Sequence, residues 1–467
     1  MKRKWIEPLI YFFIVTALGI SNMLVINKPT VSDVENRALQ KKPEFSVSAL
    51  FNGNYIMDFE NYYNDTFFLR DKMILLSRDI RDALTINPGA KLIVTEGEGL
   101  AKPNPQDDRP DNEKHEPTAI PSGNDPGIEP TSKQDDLPGI EPGQEQEPTP
   151  TQVPVETTKP NNFELEDAGH MGYWLIIDGK AVELFRFQKD SIDYYTETLN
   201  MYREAIGKDI KLYSMIAPTA GEFAILRRYK DLTDSQNEAL QYINHNINPD
   251  IFSVDLFEAL NPHRDEYIYF RTDHHWTALG AYYAYCEFMN VRGEEPIPLE
   301  RYETVEIQNF LGSAYTKTLD KSLEANPDTI TVYLPFVDYE YTMYNGATPS
   351  RREVIDLSFA GKKDKYNVFI SSGGGTWSVI KTEVKNGKKL LVIKDSFGNA
   401  IIPFFLPHYE EIYVIDARFY NSAFTKMGVP QFVNHYGIQE VAIINYMEDV
   451  NWPEFMQKVR NLLNRVE

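Results

Sequence analysis

Cysteine is almost absent: the 467 residues hold one, Cys286. No intrachain disulfide can form, so the usual mark of an oxidising compartment is missing. That absence still leaves an extracytoplasmic location open. Cys286 lies in an apolar stretch and reads as a small buried hydrophobe. Cations are scarce as well. Lys and Arg number 47 against 69 Asp and Glu, a formal net charge of −22. Without a basic excess to meet phosphates, the chain is not expected to bind nucleic acid. There is no His-x3-His and no cysteine pair, so the spacing of a metal site is missing. No metal and no cofactor is expected. What remains is ample for a core: 42% of residues are hydrophobic and 13% aromatic. The length allows one large domain or two to three smaller ones.

One run is apolar enough for a membrane. Lys2, Arg3 and Lys4 precede Pro8 to Ile26, and these 19 residues just suffice to cross a hydrocarbon core of about 30 Å. The basic flank should stay cytoplasmic, which places the rest of the chain outside. A cleaved signal peptide would be shorter and would end in a small-x-small site; Asn22-Met23-Leu24-Val25-Ile26-Asn27-Lys28 offers none. The expectation is a cytoplasmic tail over 1–7, a single-pass, uncleaved signal anchor over 8–27, and the bulk of the chain extracytoplasmic at the cell membrane.

Residues 28–100 read as a membrane-proximal part of the globular domain. Asp58 to Arg70 mixes apolar and polar residues at helical spacing, and Lys91 to Thr95 reads as a short strand. Composition then shifts. Residues 101–162 hold 13 of the 29 prolines and 13 acids against 5 bases, and Pro-Gly-Ile-Glu-Pro occurs at 126–130 and again at 138–142. Such a segment buries too little apolar surface to offset its ordering entropy and is expected to be disordered. Strand patterns flank it, Leu92 to Val94 before and Gly172 to Lys180 after. That suggests a hairpin whose loop has grown, since closure entropy rises slowly with length. The alternative is a stalk.

From 163 to 467 helical and strand patterns alternate. Asp190 to Ile206, Thr233 to Ile247, Ala278 to Met289, Gln431 to Tyr436 and Pro453 to Val466 read as helices. Ile210 to Pro218, Leu390 to Ile393, Ile412 to Ile415 and Val441 to Ile444 read as buried strands. Thr329 to Tyr344 alternates like a strand pair. This order predicts an α/β fold, a mostly parallel sheet with flanking helices, whose ligands sit beyond the carboxyl ends of the strands.

The chemistry gathers around Asp273-His274-His275-Trp276-Thr277. Thr277 reads as the N-cap of the helix that follows. An Asp-x-His pair lets Asp273 hold the His275 imidazole in one tautomer and stabilise its charged form. His274 reads as structural. Ser396 follows the Leu390–Ile393 strand and is the candidate nucleophile, with His275 as base and Asp273 as orienter. At the same sheet edge the Ser396 backbone N–H, Arg418 and Asn445 are candidate oxyanion donors. Trp276 is a further substrate-binding candidate. Two other readings stay open: a metal held by the adjacent histidines and Asp273, and a turn serine with no chemistry.

Asp273-His274-His275-Trp276 resembles the signature of the DHHW proteins. These are related to the SGNH-hydrolase-like proteins of alginate O-acetylation, in which an Asp-x-His-Trp motif precedes the catalytic serine. Further pieces that fit are Glu35-Asn36-Arg37 with Pro43, Tyr63-Asn64-Asp65 to Arg70, Phe310-Leu311-Gly312-Ser313, Gly373-Gly374-Gly375, Lys394-Asp395-Ser396, and Val414 to Tyr420 around Arg418. The resemblance implies an SGNH-hydrolase-like fold in permuted motif order, with Asp273, His275 and Ser396 as triad. It implies membrane-anchored work on cell-surface polysaccharide or exopolysaccharide, moving or removing O-acetyl groups, with a membrane acyltransferase as acetyl-supplying partner. Departures are Lys394, where the hydrolases carry glycine, and Asn445, which lacks Gly-x-Asn-Asp surroundings. Those departures keep a second reading in play: a non-catalytic surface protein that binds glycan or serves as a scaffold.

Overall fold

The computed structural model describes residues 6–96, apart from 33, 36, 52–53 and 85–89, and residues 171–464, apart from 225, 371–375 and 421–424. The expected disordered stretch over 101–162 and the glycine triplet at 373–375 lie outside the described residues.

An eight-stranded sheet organises the body. Its order is Thr348–Arg352, Tyr339–Asn345, Trp377–Thr382, Glu411–Asp416, Lys389–Lys394, Glu440–Tyr446, Lys211–Ala217, Ile251–Val254. The last five run parallel, and the first three extend the sheet antiparallel. The central strands are apolar at nearly every position because both faces are covered. Leu390, Val392, Ala442 and Ile444 point into one core, with Tyr285 and Phe288 of the Ala278–Arg292 helix and Ile401 and Phe405 of the Gly398–Phe405 helix. Leu391, Ile393, Val441 and Ile443 point into the other, with Leu199, Ile243, Phe432 and Phe455. Each buried Leu, Ile, Val or Phe among these contributes about 1.5–3 kcal/mol by leaving water.

Two boundaries differ from the sequence reading. Residues 329–344 are not a strand pair. Asp328–Leu334 pairs with Glu303–Phe310 in a separate two-stranded sheet, while Tyr339–Asn345 joins the central one. Alternation reports a half-buried strand and says nothing of its neighbour. The helix expected from Thr233 starts at Gln236, because the Ser235 hydroxyl accepts from the Glu238 N–H and caps it there.

Ala90–Glu96 and Met171–Ile177 pair antiparallel, from Ala90 opposite Ile177 to Glu96 opposite Met171, and Lys180–Glu183 completes a three-stranded sheet. Nearer the N-terminus, the helix Ile6–Leu24 overlies the apolar run. Among the described residues no helix is long and apolar enough to cross a membrane.

Candidate active site

Two loops at the carboxyl edge of the parallel strands meet here. The first is closed by a bridge between Tyr269 and Trp276 and by the Thr277 N–H donating to Ile268 O at 2.9 Å. The Thr277 hydroxyl then caps the Ala278–Arg292 helix. The second loop follows Lys389–Lys394. Buried Asp395 holds its turn by accepting from the Phe397 N–H and the Tyr446 N–H, both at 2.7 Å. Burial raises the Asp395 pKa, and these donors work against the rise. Trp276 fastens the loops together: fully buried, it donates from Nε1 to Phe397 O at 3.0 Å. Its place is between the loops, not on a substrate-facing surface.

That fastening brings Ser396, His275 and Asp273 together across 121 residues of sequence. Ser396 Oγ lies 2.7 Å from His275 Nε2, and His275 Nδ1 lies 2.6 Å from Asp273 Oδ1. Asp273 Oδ1 also accepts from the His275 N–H at 2.9 Å, and Oδ2 accepts from the Ser313 N–H at 2.7 Å. Burial alone would raise the Asp273 carboxyl. The charge and hydrogen bond of His275, with His274 and Ser313, outweigh burial and hold it well below the usual carboxylate range. A hydroxyl on an imidazole that is itself held by a buried carboxylate is an arrangement that can make serine a nucleophile.

Gly312 explains the motif around Ser313. A Cβ on Gly312 would lie 2.2 Å from Asp273 Cβ, so only glycine lets the two backbones close. Sequence reasoning singled out this stretch without giving it a role. His274 bonds through Nδ1 to Ser313 Oγ.

Two further residues had no distinguishing sequence signal. Tyr366 stacks flat on His275, centroids 3.8 Å apart and planes at 10°, and its hydroxyl donates to Ser396 O at 3.3 Å. Asn399 is 6% exposed, yet its Oδ1 is buried without a hydrogen-bond partner among the described residues. It stands three residues after Ser396, and its N–H bonds Ser396 O at 3.1 Å. An unpaired buried acceptor costs stability and calls for a reason; Asn445 Oδ1 is likewise without a partner among the described residues.

The other oxyanion candidates are placed differently. Arg418 grips Asp416, Nε to Oδ1 at 2.9 Å and Nη2 to Oδ2 at 2.7 Å, so its fork is already engaged. Asp416 also faces buried Lys394 at 3.5 Å. Burial lowers the Lys394 pKa; the lysine at the hydrolases' glycine position is the core partner of Asp416. Asn445 is fully buried, with Nδ2 3.5 Å from Asp395 Oδ2. It braces the serine's turn from beneath. The Ser396 N–H has no acceptor among the described residues.

Ligand atoms of Asp273, His274 and His275 lie within 4.8 Å of one another, as a metal would require. These donors are occupied with each other, with Ser313 and with Ser396. An ion here would have to displace the Asp273–His275 bond, so the residues present do not suit one.

A mixed α/β fold with a Ser–His–Asp chain at the carboxyl edge of its sheet defines the class. The family follows from the comparison with known sequences: the DHHW protein model matches residues 153–415, more than half of the chain. The chain belongs to the DHHW family. Among solved structures it is similar to a DHHW family protein from Eubacterium siraeum, at 29% identity and a TM-score of 0.55, over 63% of this chain and 96% of that one. It is also similar to PatB1 from Bacillus cereus, solved with a sulfonyl adduct, at 20% identity and a TM-score of 0.51, over 60% of this chain and 96% of that one. That likeness shows the shared fold. The O-acetyltransferase domain of Pseudomonas putida AlgJ is more distant, at 15% identity and a TM-score of 0.34, covering 61% and 96%. No curated protein matches the chain.

Proposed function

We propose that this chain is a serine O-acetyltransferase or acetylesterase acting on extracytoplasmic polysaccharide. The observation that carries it is the hydrogen-bonded run from Ser396 Oγ through His275 to Asp273, at 2.7 and 2.6 Å. Ser396 Oγ attacks the carbonyl carbon of an acetyl ester, and its proton passes to His275 Nε2. In this reading the tetrahedral oxyanion takes hydrogen bonds from the Ser396 N–H and from Asn399 Nδ2, the donor end of that amide; one such donor is typically worth about 3–4 kcal/mol in the transition state. Collapse expels the donor's oxygen, which takes the proton from His275 and leaves acetyl-Ser396. A sugar hydroxyl then attacks this ester while His275 accepts its proton and returns it to Ser396 Oγ. When water attacks instead, the outcome is hydrolysis. Asp273 holds His275 in the required tautomer throughout.

The place of work in this reading is outside the cell, with the chain held by its N-terminal segment and supplied with acetyl groups by a membrane acyltransferase. Support for the anchor is the sequence alone, the Lys2-Arg3-Lys4 flank ahead of the apolar run from Pro8 to Ile26. Sedimentation of the full chain with membranes, resistant to carbonate, is the expected result.

The test of the chemistry is acetyl release from p-nitrophenyl acetate, with and without glycan acceptors, by wild type and Ser396→Ala, alongside labelling by a serine-directed phosphonate. Label on Ser396 and turnover lost in the variant support the reading. Folded protein that takes no label, with a variant indistinguishable from wild type, overturns it and leaves a scaffold.

A further inference from the structure

Glu35, Arg37, Tyr63, Asn64, Asp65 and Arg70 were singled out in the sequence, yet none takes part in the site above. They come together elsewhere. Arg37 reaches Glu35 at 2.8 Å and Asp65 at 2.6 Å, and Arg70 reaches Glu35 at 2.8 Å. Asp65 is 9% exposed. Burial would raise its carboxyl, but the Arg37 hydrogen bond and charge hold it below the ordinary value. Apart from Asp65 the network is partly exposed, and ion pairs in that setting contribute little net stability, so stability alone is a poor reason for it.

The network walls a cleft of about 680 Å³, within the range of small-ligand sites. Tyr63 and Phe67 line it, with Asn64, Arg70 and Arg78. The far wall is Thr316 to Leu319, at the end of the Ser313–Thr318 helix. Ser313, at the other end of that helix, donates to Asp273. Six helical residues rise about 9 Å, so cleft and triad are two ends of one rigid element.

The chemistry of the walls selects a ligand. The cations of the lining are already engaged, Arg70 with Glu35 at 2.8 Å, Arg78 with Glu324 at 3.3 Å and Lys317 over the Trp174 ring at 5.4 Å. An anion would have to compete with those partners. An apolar ligand would pack on Met73, Ile74 and Leu319 but would strip water from the paired charges without replacing its hydrogen bonds. A hydroxyl-rich ring meets both demands. Its C–H face packs on Tyr63 and Phe67, and its hydroxyls bond to donors and acceptors that the ion pairs hold in place.

We propose that this cleft is a subsite for uncharged glycan, holding the acceptor polymer away from the reacting hydroxyl. The proposal rests on the O-acetylation reading for its purpose, but binding can be judged alone. The probes are a neutral hexasaccharide of N-acetylglucosamine, the monosaccharide, and a hexauronate. The variants are Tyr63→Ala and Asn64→Ala in the full chain, checked by thermal unfolding so that at least one folded variant is compared.

In the transfer assay KM for the neutral hexasaccharide is expected to rise about tenfold, as the loss of one good contact gives. The kcat, p-nitrophenyl acetate turnover and monosaccharide KM should stay unchanged. In calorimetry, Ser396→Ala protein should bind the hexasaccharide, and adding Tyr63→Ala should weaken that binding by the same factor. Identical KM and binding in variants and wild type would overturn the subsite. So would tighter binding of the hexauronate that the variants abolish. If wild type never turns over the ester while calorimetry still shows Tyr63-dependent binding, the catalytic reading fails and the subsite stands.

Discussion

The Tyr366 ring covers the His275 imidazole face to face at 3.8 Å, and the same tyrosine bonds the Ser396 carbonyl. One residue thus touches both base and nucleophile. A π face favours positive charge above it by about 0.5–2 kcal/mol, and the imidazole is charged while the oxyanion exists. Tyr366→Leu is expected to lower kcat for acetyl release roughly 2- to 30-fold, with Tyr366→Phe close to wild type. Equal kcat for all three would mean that the stack is packing alone.

Gly312 leaves no room beside Asp273. Gly312→Ala puts a carbon about where Asp273 already is, 2.2 Å from Cβ and 2.3 Å from Oδ2. Overpacking of this kind costs about 1–3 kcal/mol. A lower unfolding midpoint and loss of most esterase turnover are expected together. Normal turnover in Gly312→Ala would show that Asp273 can shift without harm.

Asp273→Asn preserves shape but cannot accept along both oxygens, so His275 takes the wrong tautomer. In a serine protease triad the like change costs about 10⁴ in kcat, and a loss of about 10³–10⁴-fold with unaltered circular dichroism is expected here. Activity within a few-fold of wild type would remove Asp273 from the triad.

Asn399 and Asn445 separate donor from brace. Asn399→Ala should lower kcat about 10²–10³-fold and lower the unfolding midpoint less than Asn445→Ala does, since no side-chain hydrogen bond ties Asn399 to buried Asp395 as Asn445 Nδ2 is tied. Asn445→Ala should mainly lower the unfolding midpoint, because its amide supports buried Asp395. The reverse pattern would exchange their roles.

His408 makes the fold sensitive to acid. Burial, aided by the Arg292 charge, lowers its pKa to about 4, and its Nε2 lies 2.7 Å from the Tyr285 hydroxyl, which donates to the neutral ring. The unfolded chain takes up this proton near its ordinary value of about 6.5, the folded chain only near 4. The contribution is therefore complete above 6.5 and lost as pH falls toward 4. Unfolding midpoints of wild type should fall across that window more steeply than those of His408→Gln. Parallel curves would contradict this.

The centre of the fold was legible because its strands are apolar on both faces. Leu390 to Ile393 and Val441 to Ile444 could be read without knowing their neighbours. Asp273 and His275 were legible because their relation is local. Ser396 was legible through its place after a strand. What could not be read depends on partners far along the chain. Tyr366 carries no motif, and only the folded backbone lays it on His275. Arg418, a candidate oxyanion donor in the sequence, is a local exception: Asp416, only two residues away, holds its fork. Trp276 looked like a ligand contact, yet Phe397 O takes its only donor. Strand alternation over 329–344 was real, but it hid a change of sheet.

Glu96 and Met171 face each other on the final rung of their ladder. Strands so paired stand about 5 Å apart, so the polypeptide departs and returns at one spot. The ladder itself, closed on that rung, fixes the spacing of Glu96 and Met171. An Asn-Gly turn joining Glu96 to Met171 is expected to leave turnover on small esters undiminished, so that the paired ends alone, and not what lies between them, carry the burden of keeping the sheet in register.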